Sequence, residues 1–165
     1  MPTDCLNHYS ASKVSAEKFC YMYYRLHGLR TISLRYFNVY GPRQPLKGQY
    51  APVIGLFQEQ KRRGEPMTIV GDGEQRRDFT HVDDVVEANM CALNNYVSCE
   101  AINIGTGTNY SINQVADLIG GEKVYIPERK GEARETLADI TKAKSMLGWE
   151  PKIKLEDQLT NYGQL

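Results

Sequence analysis

What this sequence lacks narrows its function first. Cys5, Cys20, Cys91 and Cys99 form no C-x-x-C pair, and no histidine cluster accompanies them. That argues against a metal site or a secreted disulfide framework and reads as reduced thiols in a cytoplasmic protein. No apolar run approaches membrane length, and the opening "MPTDCLNHY" is polar, without a signal-peptide core. The formal net charge is zero, so neither a nucleic-acid partner nor an acidic membrane surface is expected. The locally basic "KRRG" at 61–64 reads as a solvated helix end rather than a phosphate track. Internal repeats and low-complexity tracts are absent as well.

What is present is globular. The 165 residues are 41% apolar and 24% charged, enough for an ordinary domain with a sizeable core. Ser12 to Leu26 is helical in pattern, with His27-Gly28 as its stop. Its stretch "FCYMYYRL" is apolar or aromatic almost all round, as in a helix buried on more than one side, in a core or against a second subunit. Thr31 to Phe37 reads as a strand closed by Gly41-Pro42. Helix followed by such a strand is the tail of a βαβ unit in a parallel sheet.

Beyond Pro42 the character changes. A Pro/Gly-rich loop leads to a helix from Val53 to Arg63 ended by Gly64. "PMTIVGDGEQRRDFTHV" reads as two short strands around a Gly-Asp-Gly turn. Asp83 to Asn94 is a helix with Asp83 as N-cap. "EAINIG" is a buried strand, "GTNYSINQVADLIG" a capped helix, "KVYIPE" a strand, and "ADITKAKSMLGW" a helix ending at Gly148. The strands at 31–37 and 101–105 are too few to complete a doubly wound sheet.

"HYSASKVSAEKF" places Tyr9 and Lys13 four apart, on one helical face. A phenol titrating near 10 is a poor base at neutral pH, and an ammonium a few ångströms away favours the phenolate. The pair could therefore handle an alcohol proton. On spacing alone it could equally be a surface helix that happens to carry both residues. Ser10 and Ser12 read as helix-start residues, since no His/Asp base accompanies them. Asp78 and Asp84 read as structural, holding a loop and a helix start. Arg76 reads as structural or exposed, and His81 as packing.

Context supports chemistry. "YSASKVSAEKF", "LRYFNVYGPRQ", "GDGEQRRDFTHVDDVVEA", "NIGTG" and "KGEARETLADITKAKSMLGW" occur in order along essentially the whole chain. The set resembles the nucleotide-sugar epimerases and dehydratases of the extended short-chain dehydrogenase/reductase family, most closely the UDP-sugar 4-epimerases. The resemblance implies an α/β fold: a partial Rossmann-type, doubly wound parallel sheet in residues 1–40, with strand 101–105 returning to it. Residues 41–165 would then form mainly the C-terminal α+β substrate-binding domain.

The same resemblance implies roles. Tyr9 matches the catalytic tyrosine, and Lys13 the lysine that binds the nicotinamide ribose of NAD. Tyr36 and Phe37 match positions beside the nicotinamide. Asn38 matches a contact to the substrate diphosphate, and Thr68 and Val70 the segment against which uracil lies. Arg77 matches a diphosphate-binding arginine. Arg129 or Lys130 matches a second phosphate-binding cation, and Glu132 an acidic residue near the ribose. Thr136 matches a position against the sugar, where a small residue leaves room for an acetamido group. Guanidinium groups bind phosphate oxygens bidentately, so two such cations could clamp a diphosphate from opposite sides.

The family's G-x-x-G-x-x-G turn for the NAD pyrophosphate does not occur in this sequence. The expectation is therefore the C-terminal half of such an enzyme, inactive alone, whose intact parent uses NAD. In that parent the helix at 12–26 would join a homodimer interface.

Overall fold

The computed structural model describes residues 5, 7–46, 51–95, 97–128 and 131–160. The first helix, α1 (His8–His27), begins before the expected Ser12 because Asn7 caps it. The Asn7 side chain accepts from the Ser10 N–H at 2.9 Å, and the Asn7 N–H donates to Ser10 Oγ at 3.3 Å. Such reciprocal capping satisfies two orphan donors of the first turn. Gly28, at φ 66°, ends the helix where only a left-handed residue returns its N–H to the Tyr24 carbonyl. No residue of α1 is buried within this chain, and Phe19, Tyr23 and Leu26 stand exposed.

After α1 come β1 (Ile32–Tyr36), β2 (Val39–Tyr40), α2 (Val53–Arg62), β3 (Met67–Val70), β4 (Arg76–Asp78) and β5 (Thr80–His81). They are followed by α3 (Val82–Asn94), β6 (Glu100–Ile104), β7 (Asn109–Ser111), α4 (Ile112–Ile119) and β8 (Lys123–Ile126). A π-helical turn (Ala143–Leu147) and α5 (Leu155–Thr160) close the described chain. No helix among the described residues is long and apolar enough to cross a membrane.

The expected parallel pairing is present: β1 runs beside β6 from Ile32↔Glu100 to Tyr36↔Ile104. Ile102, Ile104, Val85, Ala88, Leu147 and Trp149 form the core against this pair. The two strands around the Gly-Asp-Gly turn form as expected, but their partners lie elsewhere. β3 pairs in parallel with β8, and β4 pairs antiparallel with β7. A second core, centred on Ile54, Phe57, Met67, Ile69 and Val115, fills the space under α2 and α4.

Three local details differ from the sequence reading. The cap of α3 is His81, whose Nδ1 accepts from the Asp83 N–H at 3.2 Å; Asp83 lies inside the first turn. The segment read as one helix from "GTNYSINQVADLIG" spends Asn109–Ser111 in β7 before Ser111 caps α4. The helix expected in "ADITKAKSMLGW" is mainly a five-residue π turn, closed by Gly148 at φ 63°. The Trp149 indole N–H donates to the Asp84 carbonyl at 3.1 Å, and Asn95 donates to the Leu147 carbonyl at 3.2 Å, which fixes the turn's exit.

Two buried carboxylates organise the loops. Asp84 accepts from the backbone N–H groups of Lys152 and Ile153 at 3.0 and 3.1 Å. Asp78, fully buried, accepts from Thr106 N–H (2.8 Å), Thr106 Oγ1 (2.7 Å), Gly107 N–H (3.0 Å) and Ala138 N–H (3.1 Å). Asn at this position keeps the shape but presents an NH₂ where an acceptor is needed, leaving buried N–H groups unsatisfied. Asp78→Asn should lower stability by about 2–4 kcal/mol. Urea unfolding checks this, and an unchanged midpoint would show that the carboxylate is not the organising contact.

Candidate functional site

A cavity of about 380 Å³ opens between β3, β4, the start of α2 and the segment around Glu132. Asn38, Thr68, Val70, Arg77 and Glu132 all line it, so five of the residues singled out in the sequence meet in one place. Phe79 adds an apolar wall. The mixture of apolar surface with a few converging polar groups is what a small-ligand site requires.

Each side chain is placed by its element. Residues alternate across a strand, so burying Asp78 turns its neighbour Arg77 to the other face, into the cavity. Arg77 Nη1 donates to the Arg76 carbonyl at 2.9 Å, and the Glu132 carboxylate lies 3.9 Å from Nη2. Burial pulls the Arg77 pKa down and the nearby Glu132 charge partly opposes that, but an arginine stays charged at any working pH. Arg76 faces away and binds the side-chain and backbone oxygens of Asn109, both at 2.8 Å.

Asn38 joins β1 to β2 at φ 31°, a left-handed conformation that asparagine tolerates better than most residues. Its Nδ2 donates to the Asp78 carbonyl at 2.7 Å and to Thr136 Oγ1 at 3.3 Å. Thr136 therefore sits against Asn38 and outside the cavity lining. Gln60 of α2 engages Thr68 twice, accepting from its N–H at 3.1 Å and donating to its hydroxyl at 2.9 Å.

Tyr9 and Lys13 lie outside this cavity, on the exposed first turns of α1. The Lys13 ammonium is 5.3 Å from the Tyr9 ring centroid, and Tyr9 is 59% exposed. Ser12 Oγ donates to the Tyr9 carbonyl at 2.7 Å, a helix-internal bond. A fork–fork pair between Glu17 and Arg35, at 2.6 and 2.7 Å, ties α1 to β1. Tyr36 exposes its ring at the end of β1 while its hydroxyl donates to Asn89 Oδ1 at 3.0 Å. Phe37 is half-buried, its N–H bound to the Ile104 carbonyl. Arg129 and Lys130 lie outside the described residues.

Sequence reading passed over one element of the site, the clasp that holds the segment bearing Glu132. Arg134 forks onto Asp72 through two bonds of 2.8 Å, and its carbonyl accepts from the Arg76 N–H at 2.9 Å. The Gly-Asp-Gly turn marked Asp72 as a turn residue, but nothing local indicated a partner 62 positions away.

Parallel strand segments flanked by helices, with this cavity beside them, place the chain among α/β proteins of the extended short-chain dehydrogenase/reductase type. It belongs to the NAD dependent epimerase/dehydratase family, which it matches over residues 1–105. It is 45% identical to the solved UDP-glucose 4-epimerase of Thermotoga maritima with UDP-glucose, at a TM-score of 0.86, covering 92% of this chain and 50% of that one. The UDP-glucuronic acid 4-epimerase of Bacillus cereus, solved with UDP-glucuronic acid and NAD, is 33% identical at a TM-score of 0.84, over 96% of this chain and 52% of that one. The UDP-glucuronate 4-epimerase of Thermodesulfobacterium geofontis is 38% identical over 93% of this chain and 48% of its own. The chain spans about half the length of these relatives.

The clasp has a pH signature. Its hydrogen bonds from Arg134 hold the Asp72 carboxyl down at about 2. A depressed carboxyl stabilises the fold fully above its unfolded value and loses that contribution as pH falls towards the folded value. The clasp should therefore persist at neutral pH and release as the pH drops from about 4 towards 2. In Arg134→Met the Asp72 carboxyl should rise towards its ordinary value of about 3.9 but stay below it, because the Glu74 N–H still donates to it at 2.9 Å. Carbon-detected NMR titration of both proteins would show the difference, and coincident curves would discount the clasp.

Proposed function

We propose that this chain carries the nucleotide-sugar side of a UDP-sugar 4-epimerase, with NAD as cofactor of the intact enzyme. The observation that carries the reading is the convergence of Asn38, Thr68, Val70, Arg77 and Glu132 on one cavity. Arg77 offers a largely desolvated guanidinium to a diphosphate, and the β3 segment with Phe79 offers an apolar wall to a base.

The fit to NAD is one-sided. Tyr9 and Lys13 present a phenol and an ammonium on one exposed face, and Tyr36 an exposed ring, a donor set suited to a ribose and a nicotinamide. Phe37, next after Tyr36 in the chain, completes the set proposed for the nicotinamide. Among the described residues no strand runs through a glycine-rich turn into a helix, the arrangement that cradles a pyrophosphate. When bound, NAD supplies the two-electron acceptor that oxidises sugar carbon 4 and the source that reduces it again. Tyr9 takes the C4 hydroxyl proton and later returns it, and the Lys13 charge stabilises the negative oxygen that develops. Arg77 anchors the diphosphate while the keto sugar turns to present its other face. Arg129 or Lys130 adds the second cation, and Thr136, being small, leaves room for an acetamido sugar.

A second copy is the proposed protein partner, through helix segment 12–26, where Phe19, Met22, Tyr23 and Leu26 are exposed. No disulfide joins the cysteines among the described residues, which supports a reducing, cytoplasmic setting. The second reading is another reaction on the same keto intermediate, since the matches include a UDP-glucuronic acid decarboxylase and a dTDP-glucose 4,6-dehydratase. Product analysis of the intact enzyme separates them.

Two measurements test the reading. Calorimetry should give the chain a dissociation constant on the order of micromolar for UDP without NAD. Arg77→Met should weaken it roughly tenfold or more, the worth of a charge-assisted bidentate contact. No UDP binding would leave an inert piece in place of a binding module. In the intact enzyme, Tyr9→Phe should lower kcat roughly 10²–10⁴-fold with little change in KM. An unchanged kcat would remove Tyr9 from the chemistry.

A further inference from the structure

Arg77 is a half-buried cation that no group among the described residues fully satisfies. Its side chain is only 15% exposed. A desolvated guanidinium needs acceptors or a counter-charge. Backbone carbonyls of Arg76 and Arg134 take Nη1, at 2.9 and 3.5 Å. The remaining edge faces the cavity, and the carboxylate set against it is Glu132, at 3.9 Å. That distance is an ion pair without a hydrogen bond.

Glu132 is held loosely. Its side chain is 42% exposed, and among the described residues it makes no hydrogen bond. The residue before it is Gly131, at φ 81°, where the backbone adopts a left-handed turn that side chains resist. Among the described residues, moving the carboxylate into solvent therefore breaks one weak contact. The arginine cannot follow, because β4 and two carbonyls fix it.

We propose that Glu132 is a displaceable internal counterion that sets the selectivity of this site: in the empty cavity it stands where a phosphate would lie against Arg77, and a ligand must drive it off. This rests on the reading of the cavity as a nucleoside-diphosphate site. A bare phosphate or pyrophosphate displaces the carboxylate and is then repelled by it at close range. A nucleoside diphosphate displaces it too, but brings ribose hydroxyls that can donate to the freed carboxylate. Glu132 thus discriminates against inorganic anions while its cost is recovered only by a ligand that carries a sugar. Discrimination by a built-in repulsive group is a general route to specificity.

The test is calorimetry with inorganic pyrophosphate and with UDP, on the wild-type chain, Glu132→Gln and Glu128→Gln. Glu128 is a carboxylate of the neighbouring cleft, so its variant controls for the general field. Glu132→Gln should bind pyrophosphate roughly three- to tenfold more tightly than wild type, the scale of a partly screened charge pair. UDP should gain less or lose, and Glu128→Gln should leave the ratio of the two ligands unchanged. Circular dichroism confirms that each variant is folded. If UDP binds the wild type but Glu132→Gln gains nothing for pyrophosphate, the inference is overturned and the nucleotide reading stands. An equal gain in Glu128→Gln also overturns it. If Glu132→Gln gains for pyrophosphate while UDP binds no protein, the counterion stands and the nucleoside reading falls. If neither ligand binds any of the three, both fall.

Discussion

The contact on which the site depends is the buried carboxylate of Asp78. It gathers donors from Thr106, Gly107 and Ala138, segments that are distant in sequence, with no cation partner among the described residues. A carboxylate can be buried this way because several N–H dipoles replace its hydration. Its own backbone carbonyl receives Asn38, and its N–H reaches Thr136 Oγ1 at 3.4 Å. One residue therefore joins β4, the turn after β6, the stretch beyond Thr136 and the end of β1. Gly105 belongs to the same knot, since a Cβ there would lie 2.3 Å from the Ala138 Cβ. The sequence D-F-T-H after two arginines is thus a buried hub with a cation mounted on its neighbour.

That hub explains why Arg77 is fixed while its counter-charge is not. β4 is short, and its register against β7 is held by Arg76↔Ser111 through Asp78↔Asn109. Arg76 and Asp78 face the protein, so strand alternation leaves Arg77 facing the cavity. Glu132 is carried instead by an irregular stretch that, besides a long 3.5 Å bond from Asn7 to the Gly131 carbonyl, is fastened by the Arg76–Arg134 backbone bond, the Asp72–Arg134 clasp and the Arg76↔Glu135 bridge. All three lie beyond Glu132 on its C-terminal side. Rigidity on one side of the ion pair and freedom on the other follow from how the two charges are mounted.

Helix ends and turn positions were legible because their causes are local. Gly28 and Gly148 stop helices where the sequence places them, and the parallel β1–β6 pair follows from a helix preceding a β-branched strand. Asn7 is hard to tell as the cap from sequence because serines follow it closely; Ser10 is the N3 partner and Ser12 bonds within the helix. His81 as a cap was less visible still, since imidazole rarely takes that place and here its ring also packs edge-on against Tyr40. Strand partners, β3 with β8 and β4 with β7, were not readable, because register depends on which faces meet in the core. The five residues at the cavity were named from ordered motifs, and their convergence is a property of the fold alone.

The phenol–ammonium pair and the cationic cavity are separate in this chain, yet they are not mechanically independent. Asn7 caps the helix that carries Tyr9, and its side-chain amide also reaches the Gly131 carbonyl at 3.5 Å. Gly131 directly precedes Glu132. A shift of Glu132 would therefore be felt at the first turns of α1, which carry Tyr9 and Lys13. The contact is long and exposed, so its strength is small beside that of the Asp78 hub. Its position matters more than its strength, for it connects the more exposed member of the ion pair to the start of α1 without passing through the buried core.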